Sequence, residues 1–142
     1  MLIRSLEEWV NRPHGEVNFH ITQILSGHGV FGTYLRRMGI RASHLCTHCQ
    51  GRDDDDVWHT LLECRAWNQE REEAQKALED MGEERLTQEN LMKLMLNSPQ
   101  AWAGISSFAA NILKKKMNVE WERQRTVTRQ RGGPALTIQT SL

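Results

Sequence analysis

The sequence predicts a mainly α-helical fold: a small, irregular helical domain with one long helix near the C-terminus. Apolar residues recur three and four positions apart along several segments, which is the spacing of a helix with one buried face. Strand patterns are weak, and the few clusters of β-branched residues lie mostly near the end of the chain. Glycine and proline residues divide the helical segments into short pieces, so we expect an irregular arrangement.

Two helices are predicted in the first third of the chain. Residues 1–14 are expected to be irregular or helical, with a proline near their end. A helix over residues 16–26 follows and ends at a pair of glycines. A second short helix runs from residue 30 to about 38, with Arg36 and Arg37 near its carboxyl end, where cations interact favourably with the helix dipole.

The rest of the chain predicts a turn-rich segment followed by four helices and a tail. Residues 43–56 are turn-like because they contain serine, glycine and four aspartates. The predicted helices cover residues 57–62, 66–81, about 88–96 and 99–125. Thr87 is the expected N-cap of the third, and Ser98-Pro99 begins the last, since proline is tolerated at the first helical position. We expect residues 126–142 to form a disordered basic tail.

Charge is balanced overall but unevenly distributed. Eighteen basic residues match eighteen acidic ones, yet residues 51–100 carry six basic against thirteen acidic residues, while residues 101–142 carry seven against two. Basic ends suit an anionic partner such as nucleic acid, although charge runs are often simply solvated. No membrane span or signal peptide is visible, and three cysteines without a secretory context favour an intracellular location, nuclear or cytoplasmic.

All three cysteines belong to one metal-binding pattern, C-x2-C-x9-H-x4-C, formed by Cys46, Cys49, His59 and Cys64. A C-x2-C turn brings two thiolates to one ion, and the downstream histidine and cysteine complete a tetrahedron. The soft ligands favour Zn²⁺ over Mg²⁺ or Ca²⁺, and four protein ligands leave no open position, so the predicted site is structural. His59 and Cys64 cannot lie one above the other on a regular helix: either the helix unwinds before Cys64, or Cys64 lies just past its end.

Other candidate site residues are weaker. His44 and His48 are alternatives to His59 as ligands, although His48 lies between the cysteines and is expected to point away. The run of aspartates over 53–56 suggests Mg²⁺, but consecutive loop carboxylates are usually solvated, so we expect no metal catalysis there. Trp58 and Tyr34 are candidates for stacking on nucleic-acid bases, although such residues are more often part of a core.

Several segments together resemble a known family. Residues 20–35 (HITQILSGHGVFGTYL) resemble the region before the terminal zinc knuckle of non-LTR (LINE-type) retrotransposon reverse transcriptases. That family continues with a C-x2-C, an acidic loop and a His-Thr-Leu segment with a cysteine and an aromatic residue. Here the corresponding segments are CTHC at 46–49, DDDD at 53–56 and HTLLECRAW at 59–67. The resemblance covers roughly residues 20–113.

The resemblance implies a C-terminal fragment of a reverse-transcriptase polyprotein with a CCHC zinc knuckle. It implies zinc ligands at Cys46, Cys49, His59 and Cys64, and contact with template RNA or target DNA. The polymerase signature is absent, so no enzymatic activity is expected of this chain, although the full-length parent would be an RNA-directed DNA polymerase. We divide the chain into an N-terminal helical segment (1–42), the knuckle (43–67), C-terminal helices (68–125) and the tail (126–142).

The sequence favours a zinc-stabilised nucleic-acid-binding module. Single-stranded RNA or DNA is the expected partner, because a knuckle is too small to fill a duplex groove alone. The candidate phosphate contacts are Arg36, Arg37, Arg41 and Arg52, with Lys114, Lys115 and Lys116 as a second patch. The alternative is a structural or protein-interaction module without nucleic-acid contact, in which the acidic helix 66–81 or the apolar face of 99–117 docks on a polymerase domain or another partner.

Overall fold

The structure is a computed structural model of the 142-residue chain, and it describes residue 9 and residues 11–16, 18–50 and 52–131. These residues form a mainly α-helical fold with a long C-terminal helix, as predicted. The pairing of extended backbone within the described ranges is one antiparallel bridge, between Leu45 and Asp54. No helix among these residues is long and apolar enough to cross a membrane.

The α-helices, numbered along the chain, are α1 (Phe19–Ser26), α2 (Gly32–Arg37), α3 (Asn68–Asp80), α4 (Leu91–Asn97) and α5 (Pro99–Arg131). A π-helical turn (His59–Glu63) and a 3₁₀ turn (Arg65–Trp67) lie between α2 and α3. Helix α1 begins three residues later than predicted, because the Asn18 side chain accepts a hydrogen bond from the backbone N–H of Ile21 and acts as the N-cap.

The last helix is longer than predicted. We expected it to end at about Arg125, but α5 continues to Arg131, so residues 126–131 of the predicted tail are helical. Residues 132–142, where the rest of that tail was predicted, lie outside the described part of the chain, as do residues 1–8.

Helix α5 is the centre of the core. Helices α1, α3 and α4 all pack against it. Its buried apolar side chains are those of Ala101, Trp102, Ile105, Phe108, Ala109, Ile112, Leu113 and Met117. Burying each large apolar side chain stabilises the fold by about 1.5–3 kcal/mol, so this face supplies much of the driving force for folding. The apolar face of residues 99–117 is therefore covered by the chain's own helices.

Candidate metal centre

The knuckle begins as a narrow loop closed by backbone hydrogen bonds. The N–H of Cys46 donates to the carbonyl of Asp53 at 2.9 Å, and the N–H of Asp55 donates to the carbonyl of His44 at 2.9 Å. Both flank the antiparallel bridge between Leu45 and Asp54. This short pairing fixes the two ends of the loop that carries the C-x2-C turn.

The structure brings the four predicted ligands together. The sulfur atoms of the three cysteines and a ring nitrogen of His59 all lie within 4.8 Å of one another. Cys46 Sγ is 3.9 Å from Cys64 Sγ, and Cys49 Sγ is 3.5 Å from His59 Nε2. Ligands at usual zinc distances around a tetrahedral centre would be separated by about 3.8 Å for two sulfurs and about 3.6 Å for a sulfur and a nitrogen. The cluster can therefore hold one metal ion.

A π-helical turn accommodates the five-residue offset between His59 and Cys64, so that both side chains reach the same site. The N–H of Cys64 donates to the carbonyl of His59 at 2.7 Å, which is the i to i+5 bond of a π-helix. Cys64 itself has extended backbone angles (φ −62°, ψ 124°) and lies just past the turn, which is one of the two predicted alternatives. At the other end, the Asp56 carboxylate accepts from the N–H of His59 at 2.8 Å and caps the turn.

Arg71 on α3 holds the end of this turn, a role that no sequence pattern indicates. Its Nε donates to the carbonyl of Leu61 at 2.8 Å, and one terminal nitrogen donates to the carbonyls of Cys64 at 2.8 Å and Thr60 at 3.4 Å. The carbonyls of Thr60 and Leu61 lie at the end of a wide helical turn, where backbone acceptors tend to lack helical partners, and the Cys64 carbonyl also accepts from the N–H of Trp67 at 3.2 Å. In the sequence, Arg71 looks like any other charged residue of an exposed helix.

The alternative histidines are occupied elsewhere. The His48 ring packs against Trp67 with its centroid 5.3 Å away, and burial, followed by the charge of Lys116, lowers the pKa of His48 to about 4. His44 Nδ1 lies 2.6 Å from a carboxylate oxygen of Asp54. Neither histidine belongs to a ligand cluster within the described residues, so His59 is the histidine at this centre.

Burial shapes the chemistry of the cysteines. Cys64 is 1% exposed, and this burial, followed by the neighbouring Cys46 thiol, raises the pKa of Cys64 to about 12. The buried Cys64 thiol therefore ionises only when a cation lies beside it, and a metal ion bound by the thiolate would be such a cation.

The aspartate run is not simply solvated, because Asp55 is completely buried. Its carboxylate lies 2.6 Å from the ammonium of Lys116 on α5 and 3.5 Å from the guanidinium of Arg41. It also accepts from the backbone N–H of Gly32 at 3.0 Å. A Cβ at Gly32 would lie 2.9 Å from the Asp55 side chain, so this close approach requires glycine. Asp55 thus ties the knuckle to α2 and α5.

This burial contradicts two of the predicted phosphate contacts. Lys116 is 1% exposed and Arg41 is 9% exposed, because both neutralise Asp55. An external phosphate cannot reach either side chain in this fold. The other predicted contacts, Arg36, Arg37, Arg52, Lys114 and Lys115, are exposed. Lys115 is also ion-paired with Glu70.

Tyr34 is not an open stacking platform. Its ring is 9% exposed, lies 4.5 Å from the His28 ring in a stacked arrangement, and has the Arg37 guanidinium 5.5 Å from its centroid. Trp58, the other predicted candidate, is half-buried and packs against the core. The structure therefore offers weaker support for base stacking than the sequence suggested.

No protein-family model, curated protein or solved structure matches the chain. Membership of the LINE-type reverse-transcriptase family therefore stays a prediction from the resemblance of its segments. The interpretation of the site rests on its own geometry and chemistry.

Proposed function

We propose that this chain is a zinc-stabilised helical module that binds single-stranded RNA or DNA, and that it is a C-terminal part of a LINE-type reverse transcriptase. The convergence of four ligand atoms within 4.8 Å carries the zinc part of the proposal. Three sulfurs and one imidazole suit Zn²⁺, and four protein ligands fill its tetrahedral coordination. The zinc would therefore be structural, and we assign the chain a binding role and no catalytic one.

The compartment follows from the same ligands. Cys46, Cys49 and Cys64 form no disulfide bond in the structure, and a zinc site of this kind needs them reduced. We therefore place the protein in an intracellular compartment, nuclear or cytoplasmic, where thiols are kept reduced.

Exposed arginines attached to the knuckle support nucleic-acid binding. Arg36 and Arg37 lie in the last turn of α2, whose first residue, Gly32, is bonded to Asp55. At 1.5 Å of rise per residue, Arg36 is about 6 Å along the helix from that bond. Arg52 lies three residues before Asp55, so its backbone is within about 10 Å of the same point. The backbones of the three arginines thus lie near one buried ion cluster, which supports the proposal that their side chains form one phosphate-binding surface.

The test compares binding by the zinc-loaded chain with binding by two charge-reversal variants. We expect fluorescence anisotropy with a labelled single-stranded RNA or DNA to show affinity that falls steeply with salt. Arg36→Glu with Arg37→Glu should abolish this binding while circular dichroism and zinc content stay unchanged. Lys76→Glu with Lys93→Glu is the matched control, because it changes the net charge equally at exposed positions on α3 and α4.

Two results would contradict the proposal. The first is no salt-dependent binding of either nucleic acid by the zinc-loaded chain. The second is equal loss of binding in both double variants, which would mean that overall charge and not this surface is responsible. Absence of zinc from the purified chain would remove the metal part independently.

Docking on a protein partner, such as the polymerase domain of a parent polyprotein, is the second candidate. The apolar face over residues 101–117 cannot serve it, because its large apolar side chains are buried within the chain. Helix α3 favours it, since its carboxylates at Glu72, Glu73, Glu79 and Asp80 are exposed. Charge reversal at Glu72 and Glu73 would then weaken capture of the polymerase domain while leaving any nucleic-acid affinity intact.

A further inference from the structure

The two ring nitrogens of His59 face different surroundings. Nε2 lies on the side of the cysteines, 3.5 Å from Cys49 Sγ. Nδ1 is on the opposite side of the ring, is buried, and has no hydrogen-bond partner. The side chain as a whole is 5% exposed, so bulk solvent has little access to that nitrogen. A buried ring N–H without an acceptor is unfavourable and calls for an explanation.

Two carboxylates flank the unpartnered nitrogen. Glu63 Oε2 lies 3.6 Å and Asp53 Oδ2 lies 3.9 Å from His59 Nδ1, both just beyond hydrogen-bonding distance. The two acids come from different segments: Glu63 ends the π-helical turn, and Asp53 is fixed by its carbonyl bond to Cys46. Both side chains are more than 60% exposed, so either carboxylate can rotate toward the ring.

The neighbouring acids are already engaged and do not compete for this role. Asp54 pairs with His44, and the Asp56 carboxylate caps the backbone N–H of His59. Asp55 is buried against Lys116. Of the four consecutive aspartates, Asp53 is therefore the one whose carboxylate is near the His59 ring.

We propose that Asp53 and Glu63 are positioning residues that accept the Nδ1–H of His59 and so direct the Nε2 lone pair toward the metal. This inference rests on the proposed zinc site. Metal-binding histidines usually donate their second ring N–H to a carboxylate, carbonyl or water, which fixes the tautomer and makes the ligand more basic. Because two carboxylates can accept the same N–H, either one can replace the other when one is removed. Removal of both leaves the tautomer of His59 unfixed.

The experiment measures zinc affinity of the full chain by competition with a chromophoric chelator. We expect Asp53→Ala and Glu63→Ala each to weaken binding less than about 5-fold, and the D53A/E63A variant to weaken it about 10–100-fold. The D53N/E63Q variant keeps carbonyl acceptors in the same places and should recover most of that loss. The control E72A/E79A removes two charges from exposed side chains on α3 and should bind zinc like the unmodified chain.

A direct readout separates positioning from a general effect on the fold. Nitrogen NMR of the zinc-loaded chain should show the proton of His59 on Nδ1, with slow exchange that is lost in D53A/E63A while circular dichroism is unchanged. Unchanged affinity in D53A/E63A, or no recovery in D53N/E63Q, would overturn this inference alone. So would a second zinc ion per chain that D53A/E63A removes, since Nδ1 would then be a ligand. A chain that binds no zinc overturns the proposed function, and this inference with it.

Discussion

Neutralising the buried charges around Asp55 should destabilise the fold in a definite order. Asp55 is fully buried between two cations, Lys116 at 2.6 Å and Arg41 at 3.5 Å. Lys116→Met keeps the side-chain volume and leaves Asp55 paired with Arg41 and with the N–H of Gly32. Asp55→Asn keeps the shape but leaves two buried cations without a counter-charge. We therefore expect Asp55→Asn to be the more destabilising change.

The magnitude follows from the burial of all three groups. Removing one partner of a buried ion pair typically destabilises a protein by about 3–5 kcal/mol. Lys116→Met should lie near 3 kcal/mol, because Arg41 still compensates Asp55, and Asp55→Asn near 5 kcal/mol. For a domain of this size these values correspond to decreases in Tm on the order of 10 °C and 15 °C. The double variant should be destabilised by about 2 kcal/mol less than the sum of the two single effects, since it leaves one buried cation, Arg41, without a counter-charge where Asp55→Asn alone leaves two.

Urea unfolding of the chain in the presence of added zinc, followed by tryptophan fluorescence and circular dichroism, measures these differences. Lys114→Met is the matched control: it lies on the same helix but is exposed, so it should change the free energy of unfolding by less than about 0.5 kcal/mol. Equal effects of Lys116→Met and Lys114→Met would refute the buried ion cluster. A larger effect of Lys116→Met than of Asp55→Asn would refute the argument from net charge.

Two further predictions concern α3. Arg71→Gln should lower the free energy of unfolding by about 2 kcal/mol, because glutamine cannot reach the three carbonyls that Arg71 bonds, whereas exposed Arg65→Gln should have little effect in the same urea assay. The hydrogen bond from Lys115 holds the pKa of the Glu70 carboxyl below its usual 4.5. The ionised Glu70 carboxylate therefore contributes its full stabilisation above pH 4.5, and this contribution is lost as the pH falls through the lower pKa of the folded state. Glu70→Gln should therefore flatten the loss of stability below about pH 4.5, and parallel pH profiles for variant and unmodified chain would contradict this.

The cluster of Cys46, Cys49, His59 and Cys64 could be predicted because it depends on local spacing and residue type. A C-x2-C turn is compact wherever it occurs, and every cysteine of the chain belongs to the pattern. Helix starts were also readable where a side chain caps the backbone. Ser98 Oγ accepts from the N–H of Ala101 at 3.1 Å, as its position before Pro99 indicated. Thr87 Oγ1 accepts from the N–H of Asn90 at 3.2 Å, although the regular helix begins only at Leu91.

The sequence narrows the backbone path from His59 to Cys64 to two alternatives, but it does not identify a π-helical turn. His59 and Cys64 are five residues apart, more than one turn of a regular α-helix, so a regular helix cannot bring both side chains to one ion. This conclusion follows from helix geometry alone. A π-turn at this place depends on hydrogen-bond donors for its carbonyls, which Arg71 supplies from α3. Local sequence carries no information about such a distant donor, so the sequence could not show it.

Among Lys114, Lys115 and Lys116, helical periodicity distinguishes the buried lysine from the two exposed ones, although all three were predicted as phosphate contacts. Ile112 and Leu113 are buried on α5, and a helix returns to the same face after three or four residues, which places Lys116 inward and leaves Lys114 and Lys115 outward. The helical phase thus indicates that Lys116 points into the core, away from any external phosphate, and that it needs a buried anion. Which of the four aspartates supplies that anion depends on the register of the Leu45–Asp54 bridge, and that register is set by packing of the knuckle on α2 and α5. The phase of side chains along one helix depends on residues close in sequence, whereas the register between two distant segments depends on how they pack in the folded chain. The same periodicity that identified the core could therefore have removed Lys116 from the proposed interface, but it could not have named Asp55.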